Sequence, residues 1–564
     1  MTTFVNDLLI QAQRAQQQGQ LPQSLELYQQ ILKLEPNHFD ALRYISLLYA
    51  QQDDMPNTIN YLSKAIAIKP DDAKLYNNLA NAYKKSGSID KAIEAYQHAL
   101  QLDPDYAQAH SNLASIYAIQ DQYSKALSHY RSAVHAQPDF VLAHYNLGLL
   151  LLNHHVLDAA KVQFMNVLTL QADHVDAQFY LGVLYLDEGL LDNAEKAFQR
   201  VIELKSEHSF ALNNLGVIAL KRDAGQLAID FFTKALAFDP SNTEARNNIA
   251  ATFIHHDRFE NALTHYIELL QEDPRNMEYL YNSGVAQMAL GKKKEAITLF
   301  ESVLTQNKSH CATLNNLAAI QIRLGDRPKA VQLLQQAIQL NPLDKSCQFM
   351  LHALTGDEKN PDACPEYVHH LFDNYALQYD NHLQNTLKYT LPQALVHALQ
   401  HLNRVTFKST LDLGCGTGLS GTVIREASQQ LTGIDISSKM PAQARNKNIY
   451  DTLIETEILT YLQQMTQNYD LIVALDVLPY FGDLNPLFSE IHQHLTGLFV
   501  FSCEISTNEP YYLQETARFC HHSDYIHNTC EQNKMTIIYQ EKIKARQQNG
   551  LDLYVMLYVA DSQP

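Results

Sequence analysis

The chain has 564 residues, 46% of them hydrophobic, with 61 acidic against 42 basic side chains and a formal net charge of −19. That length exceeds one ordinary core and requires two or more structural units, while the acidity and the lack of a Lys/Arg cluster exclude nucleic acid as the main partner. Seven cysteines, odd in number and without a C-x-x-C pair, exclude a disulfide framework and metal-finger spacing, so no metal is expected.

At the N-terminus, MTTFVNDLLIQAQRAQQQGQ has neither the basic region nor the apolar core of a secretory leader. No apolar run approaches the roughly 20 residues of a membrane helix, so a soluble, cytoplasmic protein without membrane insertion is expected. From Val5 to Asp344 the sequence repeats every 34 residues, in ten units. Pro36, Pro70, Pro104, Pro138, Pro240, Pro274 and Pro342 stand on one register, with Ala172, Ser206 and Lys308 in the remaining places. In the unit from Ala73, Tyr76, Leu79, Ala80 and Tyr83 recur at helical spacing, as do Ala92, Tyr96 and Ala99. The breaker KSGSID lies between them and Pro104 ends the second stretch, so each unit is a helix hairpin.

Small residues fill two columns where the paired helices must approach closely. One holds Ala12, Ser46, Ala80, Ala114, Gly148, Gly182, Gly216, Ala250, Gly284 and Ala318, and the other runs from Ser24 and Thr58 through Ala92 to Ala330. The pattern resembles the tetratricopeptide repeat. That resemblance implies an all-α superhelix whose concave wall comes from the first helix of each hairpin, and a protein or peptide partner. A further column on the first helix is Asn78, Asn112, Asn146, Asn214, Asn248, Asn282 and Asn316, broken only by Tyr180. Its amides offer donors and acceptors to the backbone of an extended peptide, and it resembles the asparagine ladder of the O-linked N-acetylglucosamine transferase superhelix. Asparagine here is also common in average repeats, where it caps or meets solvent.

The period ends after Asp344. Thr355 to Tyr367, TGDEKNPDACPEY, reads as a linker, and the aromatic stretch after it has helical spacing. It is either a docking helix or a lid, with Tyr367, Phe372, Tyr375 and Tyr379 closing over a cofactor.

From Thr410 short apolar strands alternate with helical stretches, which implies a largely parallel sheet. The first strand runs into LDLGCGTGLSG, where Gly414, Gly416 and Gly418 allow close approach to a ligand and positive φ ahead of a helix N-terminus. A dinucleotide turn requires G-x-G-x-x-G; here the third glycine comes one place early and Leu419 takes the dinucleotide position. Asp412 adds a carboxylate that repels a pyrophosphate and suits a cation, which favours S-adenosylmethionine over NAD. The second strand ends at Asp435, about 20 residues on, where a carboxylate accepts both ribose hydroxyls. The third ends near Glu457, placed for the adenine edge, and the fourth brings Asp476 to its carboxyl end. GLFVFSCE supplies a fifth strand, and KMTIIYQEKI and LDLYVMLYVA a closing antiparallel pair.

Seven strands in this order resemble the α/β Rossmann-like sheet of class I S-adenosylmethionine-dependent methyltransferases. From Pro361 onward, LDLGCGTGLSG, GIDISSKM, LDVLPYFGDL and ARFCHHSDYI look like bacterial methyltransferases with N-terminal tetratricopeptide repeats. The resemblance implies a methionine-binding loop of Asp412, Gly414, Gly416 and Gly418 and a ribose acid at Asp435. Cys415, packed under the cofactor, Ile436, Glu457 and Asp476 complete the expected cofactor set. Glu457 departs from the family's more usual Asp, and Ala517 from the glycine before Arg518. Asp476, Tyr480 and His521 are the candidate catalytic residues, with Asp483 and Arg518 beside them on the acceptor side. Holding the acceptor near the sulfonium can supply much of the catalysis.

The expected organisation is a repeat superhelix over 1–345, a linker with N-terminal helices over 346–395, and a methyltransferase domain over 396–564. The expected function is methyl transfer from S-adenosylmethionine, with the array binding a protein or peptide partner. One alternative is an interaction scaffold with a weakly active or inactive methyltransferase-like domain. Another is a small-molecule methyltransferase localised by its repeats.

Overall fold

The computed structural model describes residues 2–356, 363–373, 379–381, 383, 387–507, 509–548 and 551–562. The chain divides into two compact units, Met1–Thr252 and Phe253–Pro564. The division by compactness thus falls inside the repeats, whereas the sequence texture changes near residue 345.

Twenty helices in ten hairpins run from Thr2 to Leu340. Every hairpin turns on one residue with positive φ: Gly19, Asp53, Gly87, Asp121, His155, Gly189, Asp223, Asp257, Gly291 and Gly325, between 56° and 79°. Half of them are Asp or His, residues enriched among non-glycines in this conformation. Histidine also caps: Nδ1 of His38, His174, His208 and His310 each accepts the backbone N–H three residues on, at 3.2–3.3 Å.

The small-residue column has a specific cause in the first unit. A methyl built on Gly148, Gly182 or Gly216 would lie 2.8, 2.8 or 2.5 Å from the ring of Phe164, Phe198 or Phe232, 16 residues further on. In the second unit Gly284 meets Phe300 in the same way, at 2.5 Å. Where that later residue is Tyr28, Tyr96 or Tyr130 the column holds Ala12, Ala80 or Ala114, and where it is Leu62 or Leu334 it holds Ser46 or Ala318. The contact pair, and not one position alone, carries the packing rule.

The second unit continues past the repeats into a sheet of β1 (Phe407–Leu413), β2 (Ser428–Asp435), β3 (Thr452–Glu455), β4 (Tyr469–Ala474), β5 (Leu495–Ile505), β6 (Tyr511–Leu513), β7 (Phe519–His521), β8 (Met535–Gln548) and β9 (Leu551–Ser562). Strands β3-β2-β1-β4-β5 are parallel in that order, β9 runs antiparallel to β5, and β8 antiparallel to β9. Seven strands were expected and nine are present among the described residues. The added pair is the β6–β7 hairpin, whose β7 lies along Glu504 and Ile505 of β5 on the edge opposite β9. Its strands are three residues long, too short to show an alternating pattern. The third strand stops at Glu455, and the rest of its apolar run forms the helix Ile458–Gln464.

Strands β1, β4 and β5 feed two cores, with alternate residues of β4 and β5 going to opposite ones. Leu411, Leu413, Ile472, Ala474, Phe499 and Phe501 enter one; Phe407, Leu471, Val473, Leu498 and Val500 enter the other. Burial on both faces is why the LIVA of β4 and the LFVF of β5 read as continuous apolar runs. Their carboxyl ends, the ligand side of such a sheet, are where the candidate residues gather.

Candidate active site

At the end of β1, Gly414, Gly416 and Gly418 all take positive φ, at 63°, 53° and 88°. A methyl on Gly414 would lie 2.6 Å from Val477, while at Gly416 the nearest atom, on Tyr379, is 3.9 Å away. Crowding and backbone strain fix glycine at 414; strain alone does so at 416. Asp435, the last residue of β2, ties the loop to its own strand. Its Oδ2 accepts the Gly416 N–H at 2.8 Å and its Oδ1 the Ser437 N–H at 2.9 Å. Each oxygen retains a second lone pair. Burial pushes the Asp435 carboxyl up to about 6, against the bonds from Ser437 and Gly416.

These strand ends enclose a cavity of about 710 Å³, its open mouth included. Of the expected set, Gly414, Gly416, Asp435, Ile436, Glu457, Asp476 and Tyr480 line it, together with Met440, Ile458, Leu475, Val477 and Phe481. Three carboxylates and no Lys or Arg are found among the described lining residues. Asp412, Cys415, Gly418 and His521 do not line the cavity. Asp412 sits beneath the loop, 1% exposed, where Ser420 Oγ and Tyr450 OH both donate to its Oδ2 at 2.6 Å. Both bonds tie it to the segments that follow the glycine loop and β2. Cys415 is buried, its thiol pushed well up by burial and then by Asp435.

The covering wall comes from the helix Pro365–Asp373 and from Tyr379. Phe372 and Tyr379, two of the four expected lid aromatics, line the cavity with Val368 and Pro365. Tyr367 faces Phe349 at a ring distance of 5.2 Å, and Tyr375 lies outside the described residues. Two carboxylates absent from the expected set hold this wall. Asp373 accepts from Ser437 Oγ at 2.5 Å and the Ser438 N–H at 3.1 Å, and Asp380 accepts from Thr417 Oγ1 and from Lys447 Nζ.

Beyond β4, Asp476 has φ 60°, a left-handed conformation that aspartate adopts more readily than most non-glycines. Its carboxylate accepts from Arg518 Nη2 and, at 2.5 Å, from Arg546 Nη1. Glu504 of β5 accepts from Arg518 Nε at 2.6 Å and lies 3.5 Å from Arg546 Nη2. Burial alone would raise the Asp476 pKa, but the two guanidinium groups outweigh it and hold the carboxyl below its usual range. Tyr480 accepts from Arg518 Nη1 at 2.7 Å, and the Phe372 ring lies 5.3 Å from its own. Arg546 and Glu504 have no motif around them; only the pairing of β8, β9 and β5 brings them here. Ala517 takes φ 58°, so the turn before Arg518 keeps a left-handed residue without glycine. His521 donates Nε2–H to the Gly482 carbonyl at 3.0 Å, and burial lowers its pKa to about 4. Asp483 accepts from Tyr525 OH at 2.8 Å, away from the cavity.

The asparagine column is partly engaged within the array. Asn112 Nδ2 donates to Asn77 and Asn81 at 3.3 and 3.2 Å, Asn248 to Asn213 at 2.9 Å, and Asn316 to Tyr281 OH at 3.4 Å. These bonds staple a first helix to the first helix before it. Asn214 donates to the Phe210 carbonyl and Asn282 to Tyr266 OH. All seven side chains of the column, Asn78 and Asn146 included, remain partly exposed. Among the described residues no group of three metal-ligating side chains gathers, and no helix is long and apolar enough to cross a membrane.

A methyltransferase-domain family model matches residues 411–497. Tetratricopeptide-repeat models match 10–73, 145–209, 184–243 and 252–310, with others at 61–94, 80–120, 114–154 and 313–346. The chain is therefore a tetratricopeptide-repeat protein that carries a methyltransferase domain. No curated protein matches it. Among solved structures it is similar to YrrB, described as a TPR protein with an unusual peptide-binding site, at 27% identity over 33% of this chain and 95% of that one, TM-score 0.31. It is similar also to MamA, at 24% identity over 28% and 94%, TM-score 0.27. Magnesium protoporphyrin IX methyltransferase (ChlM) from Synechocystis PCC 6803, solved with bound SAH, is 17% identical over 31% and 82%, TM-score 0.26.

Proposed function

We propose that the protein moves a methyl group from S-adenosylmethionine to an acceptor belonging to, or delivered by, a protein or peptide bound to the repeats. The observation that carries this reading is the charge of the cavity lining, Asp435 and Glu457 beside an Asp476 already held by two arginines behind it, with no Lys or Arg among the described lining residues. A dinucleotide pyrophosphate would face net repulsion there. S-adenosylmethionine has no phosphate, a cationic sulfonium, and a ribose whose hydroxyls suit Asp435.

The glycine backbone at 414 and 416 would accept close approach of the methionine end, and Asp435 the two ribose hydroxyls. Ile436 and Ile458 would flank the adenine. Glu457 caps the helix Ile458–Gln464 by accepting the Thr460 N–H at 2.6 Å, leaving its other oxygen for the adenine amino group. When bound, S-adenosylmethionine supplies a methyl group activated on sulfonium for in-line displacement. Asp476, ionised and held by two arginines, orients the acceptor end and does not take up a proton. Tyr480 receives a hydrogen bond from Arg518 and keeps its own O–H to donate to the acceptor. Val368 and Phe372 exclude water above them. On the array, Asn248 and Asn316, which each donate one N–H to a neighbour, keep a second N–H for a peptide backbone, and Asn112, which donates twice, keeps its carbonyl.

The test is to incubate the purified full-length protein with methyl-labelled S-adenosylmethionine and a lysate. Label entering a protein that also binds the array supports the proposal. Label confined to small molecules overturns the protein-acceptor part, and no transfer overturns the enzymatic reading.

A further inference from the structure

The helix Lys345–Thr355, which follows the last hairpin, packs against two elements of the cavity at once. The Phe349 ring lies 5.2 Å from Tyr367 of the covering helix Pro365–Asp373 and 6.1 Å from Phe519 of β7. These rings share one buried cluster with Ala353, Cys364 and Ala517.

Each of the two elements presents another side to the cavity. The covering helix lines it with Val368 and Phe372 and is pinned beside Asp435 by Asp373. Successive strand residues point to opposite faces, so β7 and its preceding turn set Phe519 against Phe349 and Arg518 against Asp476 and Tyr480. Polar contacts frame the same joint. Arg327 of the last hairpin pairs with Glu515 and donates to the Leu354 carbonyl, and Lys345 lies 3.4 Å from Glu366. The covering helix has nine residues, none of them fully buried. A helix that short does not stand alone in water; its place is set by what it touches.

We propose that Phe349 is a positioning residue of the cofactor cavity, through which the helix ending the repeat array holds both the covering helix and the β6–β7 hairpin in place. This rests on the cavity being a cofactor site, and the array's end is then a working part of that site. Truncating the ring opens a void against both elements at once, and the covering helix, with the least burial, is the part that loosens.

The test uses the full-length protein, calorimetric titration with S-adenosylhomocysteine, and hydrogen exchange of peptides spanning 365–373 and 511–521. Phe349→Ala is expected to weaken binding roughly tenfold and to speed exchange in both peptides, with Phe349→Tyr restoring both readouts. Leu62→Ala, in the first unit, should lower thermal stability and leave both readouts unchanged. Should Phe349→Ala not fold, the milder Phe349→Leu, which removes the ring and keeps an apolar side chain, is expected to weaken binding and speed exchange in both peptides to a smaller degree, and wild-type values in that variant overturn the proposal. Wild-type exchange and affinity in Phe349→Ala overturn the proposal. Absent binding by the wild-type protein overturns the cofactor reading, and the exchange data then decide the positioning role by themselves.

Discussion

Asp435 commits one carboxylate oxygen to the Gly416 N–H of the glycine loop and the other to the Ser437 N–H just beyond its own strand, so a ligand meets a group already fixed in place. Replacing it removes charged hydrogen bonds worth about 1.5–3 kcal/mol. Asp435→Asn should therefore weaken S-adenosylmethionine binding roughly 10- to 100-fold by calorimetry. Its raised pKa fixes the sign of the pH dependence. Ribose hydroxyls donate to the ionised carboxylate, so affinity should be level above neutral pH and fall as pH drops through about 6. The contribution of this carboxyl to the unliganded fold moves the other way. A carboxyl whose folded pKa lies above its unfolded value binds protons more tightly when folded, so Asp435 and Asp412, both near 6, add stability as pH falls from there toward 4. The difference in apo stability between the wild type and Asp435→Asn isolates this contribution, and its pH slope should oppose that of binding. At Asp476 a different balance holds: Arg546→Met leaves two buried carboxylates sharing one guanidinium. It should cost roughly 3–5 kcal/mol in denaturant unfolding.

Among the elements, the glycine turn and the strand ending at Asp435 were legible because their spacing is local and imposed by one βα crossover. The β6–β7 hairpin was not, since three-residue strands carry no period and its Phe519 and Arg518 acquire meaning only against Phe349 and Asp476. Arg546 was hidden for a related reason: nothing near it in β8 marks which polar residue turns inward. His521, beside Cys520 and His522 in sequence, reads as a reactive group, yet β7 aims its Nε2 at the Gly482 carbonyl. In the repeats, the small-residue column was visible but its rule was not, because it lies in pairs 16 residues apart. Gly216→Ala should destabilise by about 1–3 kcal/mol through overpacking against Phe232. Adding Phe232→Leu, the partner that Ser46 and Ala318 have, should recover part of that loss in unfolding of the full-length chain.

At the scale of the whole molecule, ten repeats and a βαβ texture after them were readable from periodicity alone, and the family models agree with both. The compact division at Thr252 was not readable, for no proline, glycine or charge run marks it and the register passes through unchanged. The acceptor is unreadable for a physical reason too: its end of the cavity offers one ionised carboxylate, one phenol and aromatic walls, which fix an orientation before they fix an identity.

The central claim, a cavity built for S-adenosylmethionine, is tested most directly by calorimetric titration of the full-length protein near neutral pH, with NAD in parallel. Saturable binding of S-adenosylmethionine at one site, weakened by Asp435→Asn and absent for NAD, is the predicted result. No heat with S-adenosylmethionine, or tighter binding of NAD, would contradict it.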